Sequence, residues 1–463
     1  YRRQQAEGSQ LNPYEENSKT HELQETGKVA STGFYANTVN QKFTFDATDK
    51  LSFYARGGYY DNKTRRPYEA YDYNILHETF NYGIGAQYMI NKGNYITADC
   101  YADHFSSSYC FFKDNKTYNG KAGEEQVRKR TRNHNLSIKG IFKLGNRHKL
   151  SVGTEYIVDV LKSQTDNIAK EDAYTLALFA QDEIKLLRNL QALIGVRYIY
   201  HENFKNHATP NVALMYKPGK FNFRASYAAG FRTPTLSELY ATDIAKKNDR
   251  LTIGNLDLKP EKNNYFSLSA EYVHERFSVS VNAFYNNIRD MIDYNTIATG
   301  DKAMEQYGHK EVRQRDNIAE AKVHGINVSA NAYLGAGFNL SGGYTHLNTQ
   351  DVELEQPIDK SIKNAYNINA QWAHSWKIYR LNINLNGRFN SKRFSKSYGY
   401  APEYQLWDLN TRHSFNLKSV IIEPGCGMEN LFDYMDDRPY NSNYATLTPG
   451  RSFYISLSLK FKS

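Results

Sequence analysis

The feature that most constrains this chain is strict alternation of apolar and polar residues over unusually long stretches. In 379–389, Tyr379, Leu381, Ile383, Leu385, Gly387 and Phe389 alternate with Arg380, Asn382, Asn384, Asn386 and Arg388. In 277–285, Phe277, Val279, Val281, Ala283 and Tyr285 alternate with Ser278, Ser280, Asn282 and Phe284. The pattern recurs in 266–272 and 326–334. At the C-terminus Phe453, Ile455, Leu457, Leu459 and Phe461 alternate with Tyr454, Ser456, Ser458, Lys460 and Lys462. A period of two is a strand period, because successive side chains leave a strand on opposite faces. Such runs exceed the usual length of about five or six residues. They match the roughly 9–11 residues that a strand needs to cross a bilayer.

The connections between strands sharpen this. Every second one is a tight turn: Thr48–Lys50, Asn91–Asn94, Gly145–His148, Arg188–Asn189, Lys217–Lys220, His274–Arg276, Gly335–Gly337, His374–Lys377 and Asn416–Ser419. The intervening ones are mostly long and polar: 6–32, 61–73, 110–126, 162–172, 232–262, 290–317, 348–361, 390–402 and 432–449, with 201–208 modest. Short turns at one end and long loops at the other are the layout of an outer-membrane barrel. Soluble β-sandwiches also alternate polar and apolar residues. They do not predict this regular exchange of short and long connections, nor Asn-, Ser- and Arg-rich faces on so many long strands. The expected fold is all-β, a transmembrane antiparallel β-barrel. Counting back from the C-terminus gives about nineteen strands. The stretch 1–5 adds the end of an upward strand, making about twenty. Without helices, the chain has no obvious second core.

Composition narrows the classes of function. With 38 Tyr and 24 Phe among 463 residues, the chain is too aromatic to stay disordered. Mean hydropathy is −0.70, and no apolar run is long enough for a membrane helix. The excess of 58 Lys+Arg over 49 Asp+Glu forms no arginine stripe or nucleic-acid motif, so no nucleic-acid partner is expected. Cys100, Cys110 and Cys426 lack metal-ligand or CxxC spacing. Cys100 and Cys110 fall about 33 Å apart along one extended strand, beyond disulfide reach. No GxSxG, HExxH or GxxxxGK[ST] motif is present, so no enzyme is expected.

Four stretches carry a resemblance. They are GFRTPTLSELY at 230–240, GNLDLKPE at 254–261, NIAEAKVHGIN at 317–327, and NLFD at 430–433 with Pro449, Gly450, Arg451 and the final strand. Pro234 lacks an N–H donor and ends strand pairing, while Pro260 is tolerated at a strand start. NLFD followed by Asp436, Asp437, Arg438 and Pro439 closes a strand in turn chemistry. The plain reading is that all four fix where long loops begin and end. In this order they resemble the TonB-dependent receptors of the bacterial outer membrane, across essentially the whole chain.

The resemblance implies about 22 strands, an N-terminal plug and a TonB box. The plug and about two strands would precede Tyr1, including the partner that closes the final strand. It implies TonB-energised import of a scarce metal chelate across a Gram-negative outer membrane: ferric siderophore, cobalamin or haem. Implied partners are outer-membrane lipid and lipopolysaccharide, the TonB complex through the N-terminal region, and a surface lipoprotein that presents ligand. A passive porin-like channel is the alternative, and a barrel enzyme comes third. No cofactor is expected. Ligand contacts are expected from loop aromatics and cations: Arg232, Tyr240, Tyr307, His309, Arg313, Tyr440 and Tyr444. Tyr71, Tyr118, Arg66 and Arg128 belong to the same supply. Haem would take a His or Tyr axial ligand. No His lies in 232–254, which leaves His309, beside Tyr307, as the haem candidate.

Overall fold

The computed structural model describes residues 1–463 apart from 8–13, 17–21, 26–31, 67–70, 246–248, 396–398, 436–449 and 463. Its main sheet has 22 strands. Two of them, Thr242–Ala245 and Arg250–Ile253, form a small hairpin beside the wall. The other twenty make one antiparallel ladder in chain order. It runs from Arg2–Ala6, paired with Gly33–Thr48, to Val420–Glu429, paired with Ser452–Phe461.

All nine expected tight turns join neighbouring strands. Tyr216 and Phe221 flank KPGK, where Gly219 takes φ 62°, a left-handed conformation open to glycine. Leu187 and Leu190 flank Arg188-Asn189. The long connections all leave and rejoin the wall at the opposite end.

The two faces of the wall divide as the alternation requires. Phe453, Ile455, Leu457, Leu459 and Phe461 all point outward, with Ile455 88% exposed in the absence of lipid. Their neighbours face the lumen, where the Tyr454 hydroxyl donates to Asn410 and Lys460 pairs with Glu423 at 2.6 Å. The lumen wall is a polar lattice. Ser226 meets Ser267 at 2.7 Å, Ser280 meets Ser329 at 2.7 Å, and Asn369 donates to Asn384 at 2.6 Å. With apolar residues turned to lipid and polar residues to water, each face has its solvent.

Three expectations need correction. Residues 290–317 are not an open loop. The strands Phe277–Thr299 and Glu311–Gly335 continue far above the membrane as one hairpin, capped by the helix Gly300–Tyr307. The strict alternation fades there because neither face meets lipid. The ladder still persists through bulges near Ile288, Met291 and Thr296. The 162–172 loop is also mostly strand, since Ser163 ends one strand and Ile168 opens the next. Finally, the chain is not helix-free: Leu236–Tyr240 and Gly300–Tyr307 are short helices.

Candidate functional site

The motif-bearing excursion between Arg232 and Glu261 organises the outer rim. These two residues end and begin adjacent wall strands and are direct register partners. The chain leaves the wall at one rung and returns on the same rung. Thr235 caps the helix Leu236–Tyr240: its hydroxyl accepts the Glu238 N–H at 3.2 Å, and Glu238 accepts the Thr235 N–H at 2.8 Å. Such a reciprocal box stabilises a helix too short to persist alone. Gly254 lies against this helix, and a Cβ there would meet the Leu239 carbonyl oxygen at 2.4 Å. Leu239, Leu258 and Ile292 form a small buried core, with Phe204 and Tyr240 packed against it.

Arg232 is the clasp of this unit. Its guanidinium donates to Glu238 at 2.9 Å and to Glu261 at 2.6 and 2.8 Å. Burial opposes ionisation of both carboxyls. The Arg232 hydrogen bonds outweigh it and hold both below their usual range. Glu261 also accepts the Ile292 N–H at 2.8 Å. The third motif joins in, because Asn317 accepts the Lys259 N–H at 2.7 Å and donates to the Lys259 carbonyl at 2.9 Å. In the fourth, Asp433 accepts the Arg451 N–H at 2.6 Å. The motifs are therefore seams that pin where loops leave and rejoin the wall.

The expected ligand-contact residues are not brought together. Arg232 spends its hydrogen bonds on the clasp. Tyr240 packs on the small core, and burial and then the Glu171 and Glu202 charges raise its hydroxyl above its ordinary pKa. Tyr307 and His309 sit at the tip of the tall hairpin. His309 Nδ1 lies 2.9 Å from Asp249, whose carboxyl that contact holds below its usual range. This links the tip to the strand Arg250–Ile253, which pairs in parallel with residues 311–314. Arg313 donates to Glu311. Tyr440 and Tyr444 lie outside the described residues.

A different cluster occupies the inner face of the rim. On the strand Asn94–Phe111, exposed Cys100 stands between its ladder partners Ile84 and Leu136, both exposed apolar side chains, so even positions face outward. Odd positions, including Tyr109 and Phe111, face inward. Tyr73 and Tyr109 stack with centroids 4.1 Å apart, and Tyr118 meets Tyr109 edge-on at 5.1 Å. Two guanidinium groups border these rings. Arg128 stands 5.3 Å from the Tyr109 centroid and 5.0 Å from Tyr118, and Arg66 is 5.0 Å from Tyr73. Arg128 gives one N–H to Gln164 at 2.8 Å, while its buried Nε has no hydrogen-bond partner among the described residues. Gly120 lets the loop close here, because the Phe111 ring lies 2.4 Å from where its Cβ would be. Tyr71, Tyr118, Arg66 and Arg128 were visible in the sequence as loop aromatics and cations. Tyr73 and Tyr109 were hidden inside strands. Their signal is an inward-facing aromatic at the outer end of each strand.

Among the described residues, no cluster of His, Cys, Asp and Glu could hold a metal ion. Among the described residues no helix is long and apolar enough to cross a membrane. The twenty-stranded wall has an apolar outside and a polar inside, the arrangement of a barrel that crosses a membrane with strands. Solved structures share this architecture. A point mutant of the ferric enterobactin receptor PfeA from Pseudomonas aeruginosa superposes with TM-score 0.80 at 16% identity, covering 99% of this chain and 74% of that one. The siderophore receptor PirA from Acinetobacter baumannii gives 0.73 at 15% identity, covering 93% and 71%. The copper transporter OprC gives 0.74 at 10% identity, covering 98% and 74%. At such identities the likeness concerns the fold. The family model described as "TonB dependent receptor-like, beta-barrel" matches residues 14–430, which is most of the wall and the first three of the four motif seams. On that match the chain belongs to the TonB-dependent receptors, a family of outer-membrane receptors and transporters rather than enzymes.

Proposed function

We propose that this barrel belongs to a TonB-energised importer of an anionic, ring-bearing metal chelate, with a ferric siderophore as the first choice. The observation that carries this reading is the inward cluster of Tyr73, Tyr109 and Tyr118 with Arg66 and Arg128. Aromatic faces stack on flat ligand rings, and guanidinium groups attract the chelate's negative charge. The buried Arg128 Nε has an unmet hydrogen bond, and such a group is costly unless a ligand satisfies it. Energy would reach the barrel through a region outside residues 1–463, and a surface lipoprotein would deliver the ligand. The PfeA and PirA structures, named for ferric enterobactin and siderophore reception, support this choice only through shared architecture. In this reading the tall hairpin meets ligand first and the tyrosine cluster holds it above the lumen.

The test is growth of a deletion strain on a single iron source. Complementation with the native gene should restore growth on ferric siderophores, and Tyr109→Ala or Arg128→Gln should reduce uptake at least tenfold at limiting ligand. Restoration on haem or cobalamin alone would redirect the proposal. Full uptake by both variants would remove the cluster from it.

A further inference from the structure

Charge is unevenly spread around the lumen. The segments 277–288, 323–350 and 364–376 contain no Lys, Arg, Asp or Glu. They build the wall upward from the tight turns in four neighbouring strands, Phe277–Thr299, Glu311–Gly335, Phe338–Asp351 and Asn364–Trp376. The outward faces are apolar, with Val281, Ile326 and Ile368 exposed. The inward faces are mostly Ser, Asn, Gln, Thr and Gly, bonded to one another, as where the Thr345 hydroxyl donates to Asn327 at 2.9 Å. Higher up, the first two of these strands are charged at once, at Arg289, Asp290, Glu320 and Lys322. The gap in charge therefore belongs to a height in the wall.

The strands from Gly33–Thr48 to Leu190–His201 differ. Their inward faces hold both signs of charge in a fixed lattice. Arg197 pairs with Glu155, Lys149 pairs with Glu183 at 3.0 Å, Tyr54 donates to Asp99, and Arg56 lies 4.8 Å from the Tyr101 centroid. Two cavities at the turn end of the lumen repeat the division. One, of about 490 Å³, lies at the foot of the charge-free sector, lined by inward Ser278, Asn331, Asn339, Ser341, Asn369 and Gln371 and by the turn His274–Arg276. The other, of about 710 Å³, is lined by Lys143, Arg147, Lys149, Lys185 and Arg224 against one carboxylate, Glu183.

A solute that crosses must be bound well enough to enter a site and weakly enough to leave it. Hydrogen bonds between neutral groups are weaker net than those to a charge. Asn and Gln present both donors and acceptors, and Ser and Thr hydroxyls rotate to either role, so a moving ligand can exchange one partner for the next. An anion beside the cation-lined cavity is instead held, and beside Asp99 or Glu155 it is repelled. We infer that the charge-free sector is the transit face of the lumen, along which the imported ligand descends, and that the cavity at its foot is the last station before release. The station takes the ligand's amide, hydroxyl and carbonyl groups rather than its net charge. This rests on the import reading above and adds the route.

The test uses the full-length receptor in the deletion strain, with the radioiron-labelled ferric complex of a tricatecholate siderophore as probe. Surface binding is read in cells de-energised with a protonophore, and uptake in energised cells. Ser341→Lys and Ser341→Asp should each cut uptake at least fivefold while binding stays within twofold. Ser341→Gln, which adds bulk without charge, should keep most of the uptake. Ser137→Lys and Ser137→Asp, inward on the charged sector, should leave uptake within twofold. Equal losses at both positions, or a loss confined to Lys149→Gln with Lys185→Gln, would overturn the inference. A native receptor that neither binds nor imports the probe would count against the ferric-siderophore reading and not against the route, which a second measurement decides without any ligand. With Cys100, Cys110 and Cys426 replaced by Ser, Ser341→Cys should react with a small cationic thiosulfonate at least fivefold faster than Ser137→Cys in energised cells. Equal or slower reaction would overturn the inference.

Discussion

Replacing Arg232 by Met tests the clasp directly, because the methionine keeps bulk and removes charge. Glu238 and Glu261 would be left facing one another, with side chains only 14% and 16% exposed. Charge-assisted hydrogen bonds are each worth about 1.5–3 kcal/mol net when buried. The Arg232 side chain is 42% exposed, so solvent screens part of this. A loss of about 2 kcal/mol, or roughly a 30-fold increase in local opening, is expected. Amide hydrogen exchange over residues 233–260 measures it.

The pH dependence gives a second, sharper reading. In the native protein both carboxyls lie below their ordinary value of 4.5. The clasp is therefore complete above that pH and is lost as pH falls through the depressed values. In the variant, burial and mutual repulsion remain without the cation, so both values rise above the ordinary one. The excursion then gains protection on acidification from neutral pH, the opposite of the native trend. Equal exchange in both proteins, or the same pH trend, would refute the clasp argument.

Asn317→Ala removes the hydrogen bonds to Lys259 and one to the Asp290 carbonyl at 2.6 Å. It should cost about 1–3 kcal/mol and speed exchange at residues 254–260 without changing barrel assembly. Leu457→Lys places a charge on the lipid face and should lower stability by about 2–4 kcal/mol if it sits near the bilayer midplane. Urea titration in vesicles reads this, and a neutral result would contradict the outward assignment of the final strand.

Much of the fold was legible because the membrane imposes a strong rule. Period-two alternation and short turns such as KPGK follow from lipid on one side and water on the other, and both are written residue by residue. The motif seams were legible as boundaries: Pro234 and Pro260 bracket the excursion that Arg232 and Glu261 close. What failed lies above the bilayer. Residues 290–299 and 311–317 have no lipid-facing side, so no alternation marks them, and only ladder hydrogen bonds reveal the strands. The rim cluster was half visible for the same reason. Tyr118 and Arg128 stand in an evident loop region, but Tyr73 and Tyr109 read as ordinary strand aromatics until register turns them inward. His309 looked available in the sequence, and its engagement by Asp249 depends on a parallel pairing that no local pattern announces.

The shared rung of Arg232 and Glu261 has a consequence for how such a molecule can change over time. A barrel's diameter and strand tilt depend on the stagger accumulated around its wall. An excursion that returns to the rung it left adds nothing to that stagger, whatever its length. Insertions, deletions or wholesale replacement between these residues leave the cylinder's geometry unaltered, provided the two ends can still be fastened. Recognition surfaces can thus be exchanged on a wall that need not be re-engineered.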